Sequence, residues 1–176
     1  MSVTPHRAFL ALGSNLEAPE RRLLQAFDQI AATPGITLVR RSSLYRTAPI
    51  GFADQPDFIN AVAEVLTTLS PHELLAAALD VEQQQGRVRE FQNAPRTLDV
   101  DVLFYGDQHV DSATLTLPHP RAHERAFVLK PLLEIAPHCV IPGRGPARDF
   151  LPACADQGIQ RIVDPVEAEA RLVKAA

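Results

Sequence analysis

Residues 97–105 read Thr-Leu-Asp-Val-Asp-Val-Leu-Phe-Tyr, the most informative predicted strand of the chain. Side chains alternate between the two faces of a strand, so Asp99 and Asp101 share one face and their apolar neighbours share the other. Their Cα atoms are then roughly 6–7 Å apart, close enough for both carboxylates to reach one divalent-ion site. Such oxygen ligands suit Mg²⁺ or Mn²⁺, with phosphate and water completing the shell. The alternative is a solvent-facing strand, although Asp is disfavoured in strands.

The segments around this strand predict an α+β fold. Several predicted strands follow one another directly, which favours a mostly antiparallel sheet with helices packed on it. Ser70-Pro71-His72-Glu73 is a capping box that begins a helix, and Gly86 is a suitable residue to end it. The predicted strands cover residues 8–12, 37–45, 58–69 and 97–105, with short strands within 110–117. The predicted helices cover residues 19–33, 71–85, 126–136 (short or broken at Pro131) and a terminal segment near 149–157.

Two long polar segments are predicted to be loops, residues 46–57 and 87–96. Loops of that length are often functional. The second one contains Arg87, Arg89 and Arg96 and precedes the strand with the paired aspartates.

A second group of basic residues lies between residues 118 and 125. This segment holds His119, Arg121, His123 and Arg125 in a chain whose net charge is −4. Arginine presents a planar fork that binds phosphate oxygens, and metal-binding carboxylates beside such forks are typical of a polyphosphate site. The alternative is solvated loop charge. No GxxxxGK[ST] and no GxGxxG motif occurs, so neither a P-loop nor a Rossmann phosphate cradle is predicted.

A third group could hold a flat heterocycle. Phe58 and Asn60 share one face of a predicted strand, and Phe127 follows the basic segment. Two aromatic rings can enclose a planar substrate, while an amide side chain can donate to its edge and accept from it. The alternative is that both phenylalanines belong to the core.

Composition limits the partners and the compartment. A net charge of −4 argues against general binding to nucleic acid or to anionic membranes. No signal-peptide pattern and no apolar run of membrane-spanning length is visible. Cys139 and Cys154 form no CxxC motif and fit free thiols in a reducing compartment. We therefore expect a cytoplasmic protein that binds neither nucleic acid nor membrane.

Taken together, these residues resemble the 6-hydroxymethyl-7,8-dihydropterin pyrophosphokinase family. The resemblance runs from about residue 8 to about residue 142, and its most specific block is Pro95-Arg96-Thr97-Leu98-Asp99-Val100-Asp101. Other blocks that match in order and approximate spacing are residues 8–16, 43–49, 55–60, 82–89 and 118–121. The family implies a ferredoxin-like α+β fold, a mostly antiparallel sheet with helices on both faces. From the length of the chain we expect a single domain over residues 1–176, with a loosely ordered tail at 164–176.

The resemblance also implies an activity and a set of site residues. The enzyme would move the β,γ-diphosphate of ATP to the hydroxymethyl group of 6-hydroxymethyl-7,8-dihydropterin, giving AMP, with two Mg²⁺ ions held by Asp99 and Asp101 and with both long loops as mobile lids. Arg87 and Arg96 would join the aspartates as catalytic residues. ATP would contact Glu82, Arg87, Arg89, Arg96, Val102, Thr116, His119 and Arg125, and the pterin would contact Gly13, Thr47, Ala48, Ile50, Phe58, Asn60, Asp99 and Phe127.

Two other interpretations of the sequence stay open. Another Mg²⁺-dependent nucleotidyl or phosphoryl transferase could use the same paired aspartates. A ferredoxin-like RNA-binding module would place aromatic residues at alternating positions of a central strand. Phe104 and Tyr105 are adjacent instead, so they face opposite ways, which does not favour that module.

We expect a monomer.

Overall fold

The computed structural model describes residues 4–16, 18–49, 54–86 and 98–162. The predicted loop 87–96, Ile50 and the tail 164–176 lie outside these ranges. The strands are β1 His6–Ser14, β2 Ile36–Arg41, β3 Tyr45–Thr47, β4 Phe58–Thr67, β5 Asp99–Tyr105, β6 Val110–Asp111, β7 Thr116–Leu117, β8 Val140–Ile141, β9 Gly145–Pro146 and β10 Ile159–Arg161. The α-helices are α1 Pro19–Ala31, α2 Pro71–Gln84 and α3 Ala126–Ile135, and short 3-10 turns cover Ala122–Glu124, Ala147–Phe150 and Pro152–Cys154.

The main sheet is antiparallel at every pairing in the described ranges. Its strands follow the order β10-β3-β4-β1-β5, and β2 also pairs with β4. The central pair runs from His6 opposite Thr67 to Ser14 opposite Ile59. On its other side, β1 pairs with β5 in antiparallel register. Among the described strands, β5 is the last one at this edge of the sheet.

Helices cover both faces of this sheet, which confirms the predicted α+β class. The alternation of the strands explains this arrangement, because β1, β4 and β5 each bury side chains on both of their faces. The first core packs α1 and α2 against one face and includes Leu10, Leu12, Leu23, Phe27, Ala63, Leu74, Val81 and Val100. The second core packs α3 against the other face and includes Phe9, Val62, Leu103, Phe104, Leu129 and Leu132.

The predicted strand over residues 37–45 is two strands in the structure. Between β2 and β3, Ser42 Oγ donates to the carbonyl of Ser43 at 2.7 Å and accepts from the N–H of Val62 at 2.9 Å. A side chain thus replaces part of the regular backbone pairing, which is how serine competes with secondary structure. The chain then continues as β3, so the loop predicted over residues 46–57 begins at residue 48, two residues later than predicted.

Two further predictions concern the C-terminal part of the chain. Helix α3 is short, with 10 residues, and it is not broken although Pro131 lies inside it. Burial of Val128, Leu129 and Leu132 against the sheet outweighs the one backbone hydrogen bond that proline cannot donate. The predicted terminal helix is a pair of 3-10 turns, and β10, which the sequence did not predict, follows it.

Candidate functional site

The paired aspartates occupy one face of β5, as predicted. Asp99 lies opposite Gly13 and Asp101 lies opposite Ala11, so both carboxylates rise beside residues with little or no side chain. Both aspartates are partly exposed, whereas Val100 between them is buried in the core on the other face. The sheet therefore places two carboxylates side by side on the α3 face, where no large neighbour on β1 covers them.

The predicted pterin residues Gly13, Asn60 and Thr47 adjoin Asp99 on the same face. Gly13 lies between Asp99 on β5 and Asn60 on β4. The Nδ2 group of Asn60 donates to Thr47 Oγ1 at 2.7 Å. A Cβ atom on Gly13 would lie 2.8 Å from Asn60 Oδ1, so the amide oxygen extends over the glycine. Only a residue without a side chain leaves room for this amide.

Arg125 lies close to both aspartates. It occupies the position just before α3, with an extended backbone. Burial lowers the pKa of its guanidinium, and the negative charges of Asp101 and Asp99 oppose that lowering. The guanidinium carbon lies 5.4 Å from the ring centroid of Phe127, within the range of a cation–π contact. The structure thus brings Arg125, Phe127 and the aspartate pair together.

His119 is held as a neutral ring beside Arg125. Its backbone N–H donates to the carbonyl of Leu103 on β5 at 2.7 Å. Its Nδ1 atom accepts from the backbone N–H of Arg121 at 3.1 Å, so the neutral ring has its proton on Nε2. Burial, followed by the positive charges of Arg125 and Arg121, lowers the pKa of His119 to about 4. At neutral pH the ring is therefore an uncharged donor.

Glu82 lies on α2, which packs against the sheet face opposite to that of α3. Its side chain on α2 is buried, and its Oε1 atom accepts from the backbone N–H of Val100 at 2.8 Å. The carboxylate thus holds the edge strand at the residue between the two aspartates. A contact between Glu82 and ATP stays a prediction.

The remaining predicted residues divide into four groups. Phe58 shares the face of Asn60, and Phe127 packs on the same side of the sheet, while Ala48 is exposed after β3. The side chain of Val102 lies in the first core, on the face opposite Asp101. Thr116 lines an open cleft of about 510 Å³ beside His119, together with Pro120 and Arg144. Arg87, Arg89, Arg96 and Ile50 lie outside the described residues.

Asn15 is a residue that positions the site, and it was not among the predicted site residues. Its Nδ2 atom donates to Gln55 Oε1 at 2.7 Å and to the carbonyl of Pro56 at 3.2 Å. These contacts fix the chain just before Phe58 against the end of β1. The signal was available, because Asn15 belongs to the first block of the family resemblance.

The carboxylate pair suits Mg²⁺ by the chemistry of its donors. Mg²⁺ takes one or two protein carboxylates and completes its shell with water and substrate phosphates. Asp99 and Asp101 supply two such groups on one partly exposed face. Within the described ranges no group of three or more His, Cys, Asp or Glu side chains could hold a metal ion, so a closed all-protein cage is not formed there.

The fold and this site define a class of protein, a polyphosphate-handling transferase on an antiparallel α+β sheet. The family model of 7,8-dihydro-6-hydroxymethylpterin-pyrophosphokinase (HPPK) matches residues 9–137. The chain belongs to this family.

No helix in the described part of the chain is long and apolar enough to cross a membrane.

Curated relatives and solved structures agree with this family. The 2-amino-4-hydroxy-6-hydroxymethyldihydropteridine pyrophosphokinase of Pseudomonas aeruginosa is 43% identical over 89% of this chain and 96% of its own length. The protein of the same name from Methylorubrum extorquens is 47% identical over 89% and 98%. The Plasmodium falciparum HPPK-DHPS structure with pteroate has a TM-score of 0.66 at 13% identity, over 86% of this chain and 43% of that one. The chain spans less than half of that protein, and the likeness shows the ferredoxin-like α+β fold alone.

Proposed function

We propose that this chain transfers the β,γ-diphosphate of ATP to the hydroxymethyl group of 6-hydroxymethyl-7,8-dihydropterin, releasing AMP, in folate synthesis. The observation that supports it is the row Asn60–Gly13–Asp99 across three strands, with Asp101, Arg125 and Phe127 beside it. Groups for a flat heterocycle and groups for a polyphosphate thereby share one sheet face. Membership of the pyrophosphokinase family supports the same reaction.

The phosphate end of ATP would lie between Arg125 and His119. Arg125 offers a planar fork of donors, and the neutral ring of His119 offers its Nε2–H without adding a charge. The open cleft lined by Thr116 begins beside His119, so the nucleoside end of ATP would extend in that direction. Arg87, Arg89 and Arg96, which lie outside the described residues, are predicted to add further cations.

The pterin would lie over Gly13. Thr47 Oγ1 accepts from Asn60 Nδ2, which fixes the amide so that its Oδ1 atom accepts from the amino and ring N–H groups of the pterin. Thr47 can still donate its own hydroxyl hydrogen to the edge of the ring. Phe58 and Phe127 lie on this side of the sheet and would contact the faces of the ring.

In the proposed reaction, the hydroxymethyl oxygen forms a bond to the β-phosphorus, and the bond from that phosphorus to the oxygen bridging the α-phosphorus breaks. AMP leaves with the bridging oxygen. Two Mg²⁺ ions at Asp99 and Asp101 would supply charge neutralisation for the phosphate oxygens. The protein groups act by holding both substrates in line and by excluding water.

His119 is a poor candidate for a general base. Its Nδ1 atom already accepts from Arg121, and the pKa of its ring is about 4. Among the described groups of the site, the carboxylate pair and water are the candidates to accept the hydroxyl proton. Arg87 and Arg96 are proposed to neutralise charge that develops on the transferred group and on AMP.

The test is incubation of the protein with ATP, Mg²⁺ and the hydroxymethyl pterin, followed by identification of the nucleotide product. Formation of AMP in equal amount to pterin diphosphate supports the proposal. Formation of ADP would favour the other phosphoryl transferase, and absence of both with full recovery of ATP would reject the enzyme. Light scattering of the same sample tests the proposed monomer, and cell fractionation tests the proposed cytoplasmic location.

A further inference from the structure

Helix α3 begins with a cap that another part of the chain supplies. The Oε1 atom of Gln157 accepts from the backbone N–H of Ala126 at 2.9 Å, and its Nε2 atom donates to the carbonyl of Glu124 at 2.8 Å. The first backbone N–H groups of a helix have no partner within the helix. Arg125, which occupies the N-cap position, makes no side-chain capping bond. Gln157 supplies that missing partner from 31 residues further along the chain.

The two hydrogen bonds of Gln157 bracket Arg125. One is made to the residue before Arg125 and the other to the residue after it, so the amide fixes the backbone on both sides of this arginine. Phe127 follows in the first turn of α3, and its ring lies 5.4 Å from the guanidinium carbon of Arg125. A rotation of the start of α3 would therefore move both side chains away from the aspartate pair.

The segment that follows Gln157 reaches the pterin side of the site. Ile159 on β10 pairs with Thr47 on β3, whose hydroxyl accepts from Asn60. Arg161 Nε donates to Ser43 Oγ at 2.9 Å and fastens the other end of this segment. Residues 157–161 therefore contact both halves of the proposed site, although they lie beyond the range 9–137 that the family model matches.

We infer that Gln157 is a positioning residue that fixes Arg125 and Phe127 for ATP and pterin. The inference rests on the proposed function for the identity of these two ligands. The two hydrogen bonds of the Gln157 amide go to the backbone of Ala126 and Glu124, and not to Asp99 or Asp101. It acts by determining where the start of α3 lies relative to Asp99 and Asp101.

Two substitutions separate the roles of the amide. Gln157→Ala removes both hydrogen bonds, while Gln157→Glu keeps the acceptor for Ala126 and loses the donor to Glu124. We expect Gln157→Ala to raise the KM for ATP by about tenfold, the scale of losing one charge-assisted hydrogen bond between Arg125 and a phosphate oxygen. Gln157→Glu should raise this KM less, because a negative charge at a helix N-terminus is favourable. Gln160→Ala, an exposed glutamine of the same segment, should change nothing.

The double variant distinguishes positioning from loss of structure. If Gln157 acts through Arg125, Gln157→Ala should raise the KM for ATP in the wild type but not in an Arg125→Ala background. A defect that only lowers the folded fraction would reduce kcat and leave the KM of each folded molecule unchanged. Melting temperatures of all four proteins show whether they are folded at the assay temperature.

The outcomes test the inference separately from the proposed function. If the wild type produces AMP and Gln157→Ala has a normal KM for ATP, the inference is overturned and the function stands. An equal effect of Gln157→Ala in both backgrounds also overturns it. If the wild type produces no AMP, the proposed function fails, and calorimetric titration with ATP and Mg²⁺ tests Gln157 alone. Weaker ATP binding by Gln157→Ala than by Gln160→Ala supports its positioning role, and equal binding rejects it.

Discussion

The carboxylate of Glu82 on α2 accepts a hydrogen bond from the backbone N–H of Val100, the residue between Asp99 and Asp101. Strand β5 is the last strand of the sheet in the described part of the chain, so no described strand pairs with this N–H. A buried side chain therefore does what a further strand would otherwise do. The consequence is that helix α2 holds the backbone at the centre of the carboxylate pair.

Removal of the Glu82 carboxylate should destabilise the protein and weaken its response to Mg²⁺. Glu82→Ala leaves the buried N–H of Val100 without this acceptor, which costs about 1–3 kcal/mol in the free energy of unfolding. Urea denaturation measures that loss, and the Mg²⁺ concentration at half-maximal rate should rise. Glu82→Gln retains an acceptor oxygen, so it should lose less stability than Glu82→Ala and should need less additional Mg²⁺ for half-maximal rate. Equal behaviour of Glu82→Ala and wild type in both measurements would contradict this role.

Asp101→Ala should abolish turnover while the protein stays folded. The side chain is partly exposed beside Ala11, so its removal opens no cavity in either core. One carboxylate of the pair is lost, and with it the proposed Mg²⁺ site. Production of AMP and a thermal melt check the two halves of this prediction, with Asp107→Ala in an exposed turn as the matched control. A near-normal rate for Asp101→Ala would refute the metal role.

Gly13→Ala should weaken pterin binding more than ATP binding. The added methyl group would meet Asn60 Oδ1 at 2.8 Å, so the amide must turn away from Gly13. Crowding of this kind typically costs about 1–3 kcal/mol of stability. The KM values for the two substrates check the prediction. Gly158→Ala is the control, because a Cβ atom there meets no heavy atom within 4 Å. A larger rise in the KM for ATP than for the pterin would show that this face binds something else.

The carboxylate pair could be predicted from the sequence because strand alternation is a local property. Asp99 and Asp101 differ by two positions, and no distant contact is needed to place them on one face. The same rule correctly grouped Phe58 with Asn60. The capping box at Ser70 and Glu73 was also local, and the structure shows both of its hydrogen bonds.

The remaining features depend on contacts between distant residues. Glu82 binds Val100 because α2 packs on the edge strand β5, and no pattern in either segment contains that pairing. The three-residue strand β10 exists through its pairing with β3, and the amide of Gln157 reaches a helix 31 residues earlier. Pro131 lies inside the short helix α3 without breaking it, because the burial of neighbouring apolar residues outweighs one lost hydrogen bond.

The stability of the protein should fall in mild acid through His119. Its pKa is about 4 in the folded protein, because burial and the charges of Arg125 and Arg121 disfavour the protonated ring. The unfolded chain has an ordinary histidine pKa near 6.5, so between about pH 6.5 and about pH 4 the unfolded state binds more protons. The contribution of His119 to stability is thus fully present above pH 6.5 and is lost as the pH falls through about 4.

The measurement is the free energy of unfolding of wild type and His119→Asn between pH 4 and pH 7. Asparagine does not titrate in this range, so its curve should fall less steeply than that of the wild type. His138→Asn, at an exposed histidine, should follow the wild-type curve. Parallel curves for wild type and His119→Asn would mean that the ring is not held neutral. In that case His119 could meet a phosphate as a cation, and its proposed role as an uncharged donor would be wrong.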